Sequence, residues 1–288
     1  MKVLVFGARG QVGRALAAAA PSFAEMVSVD REACELSEPA QVSSIILKTK
    51  PDIVINAAAY TAVDRAESEP EIAHAVNAVA PGVMAEAARR VGGRLIHIST
   101  DFVFGGQGSC SPYKVHDRPS PEGVYAQSKC AGERRVIEDG PDHLVVRTAW
   151  VYSPHGSNFV RTMLRLMCER DVVSVVADQI GTPTSASSLA RAIWVLAERG
   201  ATGLHHFTDA GVASWYDFAC AVAEEATSIG LLERSVRVAP IATADYPTPA
   251  RRPAYSVLDK GETWMLLGQV APHWRVTLRD TLQEIKNG

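Results

Sequence analysis

Short apolar runs rich in β-branched residues alternate with alanine-rich stretches along the first half of this chain, and that alternation leaves few folds open. Residues 3–6, 26–30, 53–56, 94–99 and 143–147 read as strands. Between them, a stretch starting at Arg14, then 39–48 with Ser37 or Glu38 near its cap, 71–90 and 125–138 read as helices. Strands separated by helices pair in parallel, because a crossover returns each one to the same end of the sheet. The predicted class is α/β: a doubly wound parallel sheet with helices on both faces.

After Thr148 the pattern loosens. Helices are expected at 158–170, 187–199, 214–229 and 277–286, with short strands at 172–176 and 204–208. Proline-bearing loops lie between them, including Tyr246-Pro247-Thr248-Pro249-Ala250-Arg251-Arg252-Pro253. A chain of 288 residues is long for one domain and short for two independent ones. The expected division is residues 1–150 as the sheet domain and 151–288 mainly as a smaller lobe, with some segments returning to the sheet.

Composition narrows the functional classes. The net charge is −3, and no basic block or basic amphipathic stretch points to nucleic acid or a membrane surface. No apolar stretch reaches the roughly 18 residues that span a bilayer. The run Met1–Phe6 meets a glycine loop too early to serve as a signal peptide. Five cysteines stand far apart without a CxxC pair, which fits inert thiols in a reducing cytoplasm rather than disulfides or a zinc site. His97 and the pair His205-His206 lack metal-ligand spacing and read as structural.

Gly7-Ala8-Arg9-Gly10-Gln11-Val12-Gly13 follows the first strand and precedes the first helix. Glycines there permit a tight turn and let a phosphate approach the backbone at a helix N-terminus. The domain is therefore expected to be Rossmann-like and to bind a dinucleotide. Asp30, closing the second strand, is placed to bind ribose hydroxyls. Arg31 or Arg9 could instead meet a 2′-phosphate, so NADPH and NADH both stay open.

Tyr125 and Lys129 are four apart and share a helix face. An ammonium beside a phenol is expected to lower its pKa from about 10, making Tyr125 a general acid for a ketone reduced by hydride. Lys129 can also hold the nicotinamide ribose. Thr100, in Ser99-Thr100-Asp101 at a strand end, can donate to the same ketone oxygen.

These motifs together resemble the extended short-chain dehydrogenase/reductases, and within them the dTDP-4-dehydrorhamnose reductase family. The resemblance runs through the glycine loop, 56–64 (NAAAYTAVD), 99–104 (STDFVF), 124–129 (VYAQSK), 147–152 (RTAWVY), Asn158-Phe159-Val160 and 252–259 (RPAYSVLD). It implies reduction of the C4 ketone of dTDP-4-dehydro-L-rhamnose to dTDP-L-rhamnose with NADPH or NADH. It puts the catalytic set on Thr100, Tyr125 and Lys129. Ala57, Ala58 and Tyr60 would line the cofactor's diphosphate and nicotinamide. Asp101, Phe102 and Val103 would face the sugar, and Trp150, Asn158 and Arg252 would bind the sugar or the nucleotide diphosphate. The C-terminal lobe is thereby implied to bind substrate.

Two departures stand out. Where relatives carry Asp-Leu or Asp-Ile on the adenine side, this chain has Glu35-Leu36. Some relatives bind magnesium through interfacial glutamates; the corresponding segments here are Arg14-Ala15-Leu16 and Ser185-Ala186-Ser187-Ser188. Magnesium prefers carboxylates, so no metal is expected, and a homodimer, though open, would lack that route. Three competing readings remain. A 4,6-dehydratase would need an acid where Phe102 stands. A 4-ketoreductase for another nucleotide-linked 6-deoxyhexose would differ only in its sugar contacts. A non-catalytic NAD(P)-binding regulatory subunit is disfavoured by the intact Thr100–Tyr125–Lys129 set.

Overall fold

The computed structural model describes residues 1–106 and 108–288. Six strands form one sheet: β1 (Lys2–Phe6), β2 (Glu25–Val29), β3 (Ile53–Asn56), β4 (Arg94–Thr100), β5 (Leu144–Thr148) and β6 (Gly203–His206). Their order is β6-β5-β4-β3-β1-β2, and every neighbouring pair is parallel. The helices α1 (Gln11–Ala18), α2 (Pro39–Thr49), α3 (Ala80–Arg90), α4 (Gly123–Asp139) and α5 (Ala186–Glu198) serve this sheet.

Alternation along the strands assigns the two faces. Val3, Val5, Ile53, Ile55, Leu144 and Val146 pack with Leu16 of α1 and Leu189 and Ile193 of α5. Leu4, Phe6, Val54 and Val145 point the other way, onto Val42 and Ile46 of α2 and Met84 of α3. Strands covered on both faces read as continuous apolar runs, which is why they stood out in the sequence. β6 and α5 come from the second half of the chain and complete this sheet and its outer layer.

The helix expected over 71–90 is interrupted. It runs as Pro70–His74, a π-turn at Ala75–Val79, and then α3. Pro81 has no N–H to give to the carbonyl four residues back, that of Asn77, so the regular ladder cannot pass. A Cβ on Gly132 of α4 would lie 2.1 Å from that Asn77 oxygen, so only glycine lets the two backbones meet. Turns of this kind often sit at functional sites, and here the side chain of Asn77 ties two site elements together.

The remaining residues form a second core around Tyr152, Met163, Phe218, Trp274 and Leu278. It is built from helices Phe159–Glu169, Trp215–Ser228 and Trp274–Asn287. Val172–Val176 pairs in parallel with Arg237–Ile241. The latter strand was not expected, because Pro240 argues against a strand; as one of only two strands in its sheet it can spare the missing donor. The helix Gly261–Leu267 also escaped the sequence reading. All five cysteines are free, and among the described residues no helix is long and apolar enough to cross a membrane.

Candidate active site

The strand order reverses between β3, β1 and β2, and the loops after β1 and β3 meet there. In a doubly wound sheet a ligand crevice forms at that point, beyond the carboxyl ends of the strands. Gly7 has φ +82°, and a Cβ on it would lie 2.8 Å from the carbonyl carbon of Ala57. A Cβ on Gly13 would lie 2.2 Å from the Gly7 oxygen. The cradle therefore closes only with glycine at these positions. Gly10 is the N-cap of α1, which has no acidic residue in its first turn, so its positive end is unopposed by its own side chains.

The other cofactor candidates surround this cradle. Arg9 Nε reaches Asp30 at 2.8 Å and its NH1 reaches Glu32 at 2.9 Å. Arg31, largely exposed, pairs with Glu35 at 3.2 Å. Leu36 lies in the core with Val29 and Ile46, so its side chain has little surface for an adenine. Val12 packs partly on the sheet core. Gln11 accepts from Ser153 Oγ at 3.1 Å and from Asn158 Nδ2 at 3.0 Å, linking the glycine loop to the C-terminal lobe. Ala58 N–H donates to Asn56 Oδ1 at 3.1 Å. Tyr60 donates its hydroxyl to Glu69 at 2.6 Å, and its backbone N–H is held by Asn77 Oδ1 at 2.8 Å. Asn77 also reaches Ser128 Oγ on α4 at 3.1 Å, so the π-turn fixes the Tyr60 loop against the helix that carries Tyr125.

The carboxyl end of β4 and the start of α4 bring Thr100 and Tyr125 together. The Tyr125 phenol lies near enough to the Thr100 hydroxyl for that hydroxyl to draw its pKa down, and Thr100 Oγ1 donates to Asp101 Oδ1 at 3.1 Å. Asp101 is buried, and its Oδ2 has no partner among the described residues. Burial pushes its carboxyl up to about 6, against the opposing influence of the nearby Ser256 and Thr100 hydroxyls. Lys129 is also buried; burial brings its amine down to about 8, against the opposing field of Glu133. Its Nζ donates to Ile98 O at 2.7 Å and lies 3.3 Å from His97 Nε2.

One expectation is reversed here. The Tyr125 phenol is not lowered by Lys129; burial pushes it up to about 12, only partly offset by the nearby Thr100 hydroxyl. The reason is geometric, since Nζ is turned to the β4 backbone and His97. His97 is likewise more than a structural histidine, because it bridges Asn56 and Lys129. Burial, and then the Lys129 charge, hold it well below the usual histidine range.

Beside this set lies a cavity of about 700 Å³, bordered by Phe102, Trp150, Arg165, Trp215, Tyr246 and Arg252. Phe102 joins the two places, its ring packing edge-on to Tyr125 at 5.5 Å. Trp150 sits at φ +47°, a conformation that costs a bulky residue energy and clusters at functional sites. It is held there by face-to-face stacking on Trp215, with centroids 3.5 Å apart, and by Gly181, whose Cβ would lie 2.5 Å from the indole. Arg252 lines the cavity and forms a two-pronged pair with Asp64, at 2.8 and 2.6 Å, from the short helix Val63–Ala66 that follows β3.

Two substrate candidates are placed elsewhere. The Val103 side chain is fully buried with Phe104, Tyr113 and Cys130, so it does not face a sugar. Asn158 caps its helix through Arg161 N–H and spends its amide on Gln11 and Ser153, away from the cavity wall. Conversely, Trp215, Arg165 and Tyr246 were missed. Nothing local marks them: Trp215 comes to Trp150 through the packing of the second core, and all three border the same cavity only in the folded chain. Among the described residues no cluster of three or more His, Cys, Asp or Glu side chains could hold a metal.

The family described as the RmlD substrate binding domain matches residues 1–287. A dTDP-4-dehydrorhamnose reductase from Burkholderia thailandensis is 44% identical, covering 99% of this chain and 100% of that one. The chain belongs to the dTDP-4-dehydrorhamnose reductase family. A solved family structure from Clostridium acetobutylicum superposes with a TM-score of 0.93 at 35% identity, covering 99% of this chain and 100% of that one. The dTDP-4-dehydrorhamnose reductase of Bacillus anthracis, solved in complex with NADP, gives 0.92 at 35% identity, covering 98% and 99%. Membership in the dTDP-4-dehydrorhamnose reductase family agrees with the parallel sheet and its glycine cradle.

Proposed function

We propose that this chain reduces the C4 ketone of dTDP-4-dehydro-L-rhamnose to dTDP-L-rhamnose, using NADPH or NADH. The observation that carries the reading is the convergence of Tyr125 with the hydrogen-bonded pair Thr100–Asp101, set between a glycine cradle and a cavity. The cradle fits a dinucleotide because glycine at 7 and 13 lets the turn close tightly at the N-terminus of α1, where added Cβ atoms would strike the Ala57 and Gly7 backbone. Gly7, Gly10 and the N-terminus of α1 would hold the diphosphate, Arg9, Asp30 and Arg31 the adenosine side, and Ala57, Ala58, Tyr60 and Lys129 the nicotinamide side. When bound, the dinucleotide supplies the hydride.

The protein supplies the proton. In the free enzyme the Tyr125 and Thr100 hydroxyls are neighbours; a ketone oxygen entering between them would receive both. A phenol at about 12 is a weak acid, yet an alkoxide is roughly as basic as hydroxide, whose parent water has a pKa of ~15.7. Transfer from Tyr125 to the developing alkoxide is therefore downhill without prior ionisation. Thr100 stabilises the same oxygen as charge develops. The free Asp101 Oδ2 would accept from a sugar hydroxyl. Trp150 offers a flat apolar face to the nucleotide sugar, and Arg252 a planar fork to its diphosphate.

In this reading residues 1–150, with α5 and β6, hold the cofactor, and the rest of 151–288 holds the substrate. The enzyme works in the cytoplasm, in keeping with five unpaired cysteines, and any homodimer forms without magnesium. The test is to mix dTDP-4-dehydro-L-rhamnose with enzyme and NADPH or NADH, follow absorbance and identify the product by NMR. Cofactor oxidation yielding dTDP-L-rhamnose is expected; no oxidation with either cofactor overturns the reading.

A further inference from the structure

The buried contact between His97 and Lys129 holds information about protons. It starts from a donor that cannot move: the backbone N–H of Ala58, 3.1 Å from Asn56 Oδ1. That contact requires the Asn56 oxygen to face Ala58, since an NH₂ there would oppose another donor. The Asn56 NH₂ then faces His97 Nδ1 at 3.1 Å and must donate to it. A neutral imidazole that accepts at Nδ1 carries its hydrogen on Nε2, and Nε2 lies 3.3 Å from Lys129 Nζ. An ammonium has no lone pair with which to receive that hydrogen; a neutral amine has one.

We infer that His97 is a positioning residue for Lys129: through Asn56 it is locked as the Nε2–H tautomer and favours the neutral, accepting form of the Lys129 amine over the ammonium in the cofactor-free enzyme. In that neutral form the amine has a defined direction. Its lone pair faces His97, one N–H goes to Ile98 O, and one N–H is left uncommitted. Taking up a proton breaks the His97 contact. The opposing influence is Glu133, one turn along α4, which favours the ammonium but is itself bound by Arg147 of β5 at 2.7 Å. Tyr125, on the same helix face, is neutral, because its phenol is pushed up to about 12. The imidazolium form of His97 is excluded by the same geometry, since Nδ1–H would confront the Asn56 NH₂.

The inference rests on the reductase reading only for the importance of Lys129; its test needs no substrate and so fails independently of the ketone assay. Nitrogen NMR of histidine-labelled free enzyme should show the signal lost in His97→Leu as the Nε2–H tautomer throughout the neutral range. An Nδ1–H tautomer or an imidazolium would overturn the inference. Lysine labelled at Cε then reports the Lys129 titration. His97→Leu removes a donor that favours the neutral amine, so Lys129 should titrate higher by roughly one pH unit, the size of one hydrogen bond. A downward shift would mean that His97 accepts from an ammonium, and no shift would mean that it only fills space; either result refutes the proposal. Should His97→Leu fail to fold, Asn56→Asp serves instead. Its carboxylate accepts from Nδ1–H, so His97 should change tautomer and Lys129 should again titrate higher. An unchanged tautomer there refutes the proposal equally.

Discussion

Replacing Arg252 by alanine separates a clasp that holds the fold from an anchor that holds substrate. The guanidinium reaches Asp64 with both prongs and the Ala250 carbonyl with one, so truncation must cost some folding energy. The side chains of the pair are 26% and 41% exposed, and solvent screening limits such a pair to about 1 kcal/mol or less. A charge-assisted bond to a substrate diphosphate is larger, about 1.5–3 kcal/mol, or roughly ten- to more than a hundredfold in binding. Arg252→Ala should therefore raise KM for the nucleotide sugar by that factor, lower the melting temperature only slightly, and leave KM for NAD(P)H nearly unchanged. Asp64→Asn provides the control. It loosens the clasp but keeps the guanidinium, so its effect on the sugar-nucleotide KM should be smaller. Arg251 is largely exposed beside Glu122, and Arg251→Ala should be milder as well. Steady-state kinetics with each substrate varied in turn decides the matter. An unchanged sugar-nucleotide KM in Arg252→Ala, or a loss confined to the dinucleotide, would refute the anchor. Equal damage from Asp64→Asn would reduce Arg252 to a structural clasp.

Tyr125→Phe keeps the ring against Phe102 and removes the proton donor; kcat should fall by about 10²–10⁴-fold while cofactor affinity measured by fluorescence titration is kept, and near-normal turnover would remove Tyr125 from its role. Asp101 has a folded pKa raised from 3.8 to about 6, so the native state holds a proton that the unfolded chain has released. Stability should fall as pH rises through this window and stay lower above it, by about 3 kcal/mol. Asp101→Asn should then melt several degrees higher than wild type at neutral pH, with little difference below pH ~4, and should lose activity; a lower melting temperature at neutral pH would count against this account. Activity should survive EDTA and respond little to magnesium, because neither Arg14-Ala15-Leu16 nor Ser185-Ala186-Ser187-Ser188 carries a carboxylate; loss on chelation with recovery on adding magnesium would contradict this.

Much of the sheet was legible from one dimension. A strand buried on both faces must be apolar throughout, so β1, β3, β4 and β5 announce themselves, and their spacing leaves room only for crossover helices. The glycines at 7, 10 and 13 and the four-residue step from Tyr125 to Lys129 are local as well, because a turn and a helix face are each set by neighbours in sequence. The π-turn at Ala75–Val79 and the strand Arg237–Ile241 were not legible. In each, local chemistry, Pro81 in one and Pro240 in the other, is reconciled only by a partner distant in sequence.

The site divides along the same line. The sequence alone determined which groups can carry hydride chemistry: a cradle without Cβ atoms, a phenol, an amine and a threonine at a strand end. Tertiary structure decided their protonation and direction. Burial raises Tyr125 and lowers Lys129, the β4 backbone and His97 claim the Lys129 amine, and Asp64 claims Arg252. It also turned Val103 inward, gave Asn158 to Gln11, and brought Trp215 under Trp150. Residue type sets what a side chain is able to do. Its pKa and aim depend on the dielectric and the partners that folding assembles around it, and those come from segments as far apart as Asp64 and Arg252.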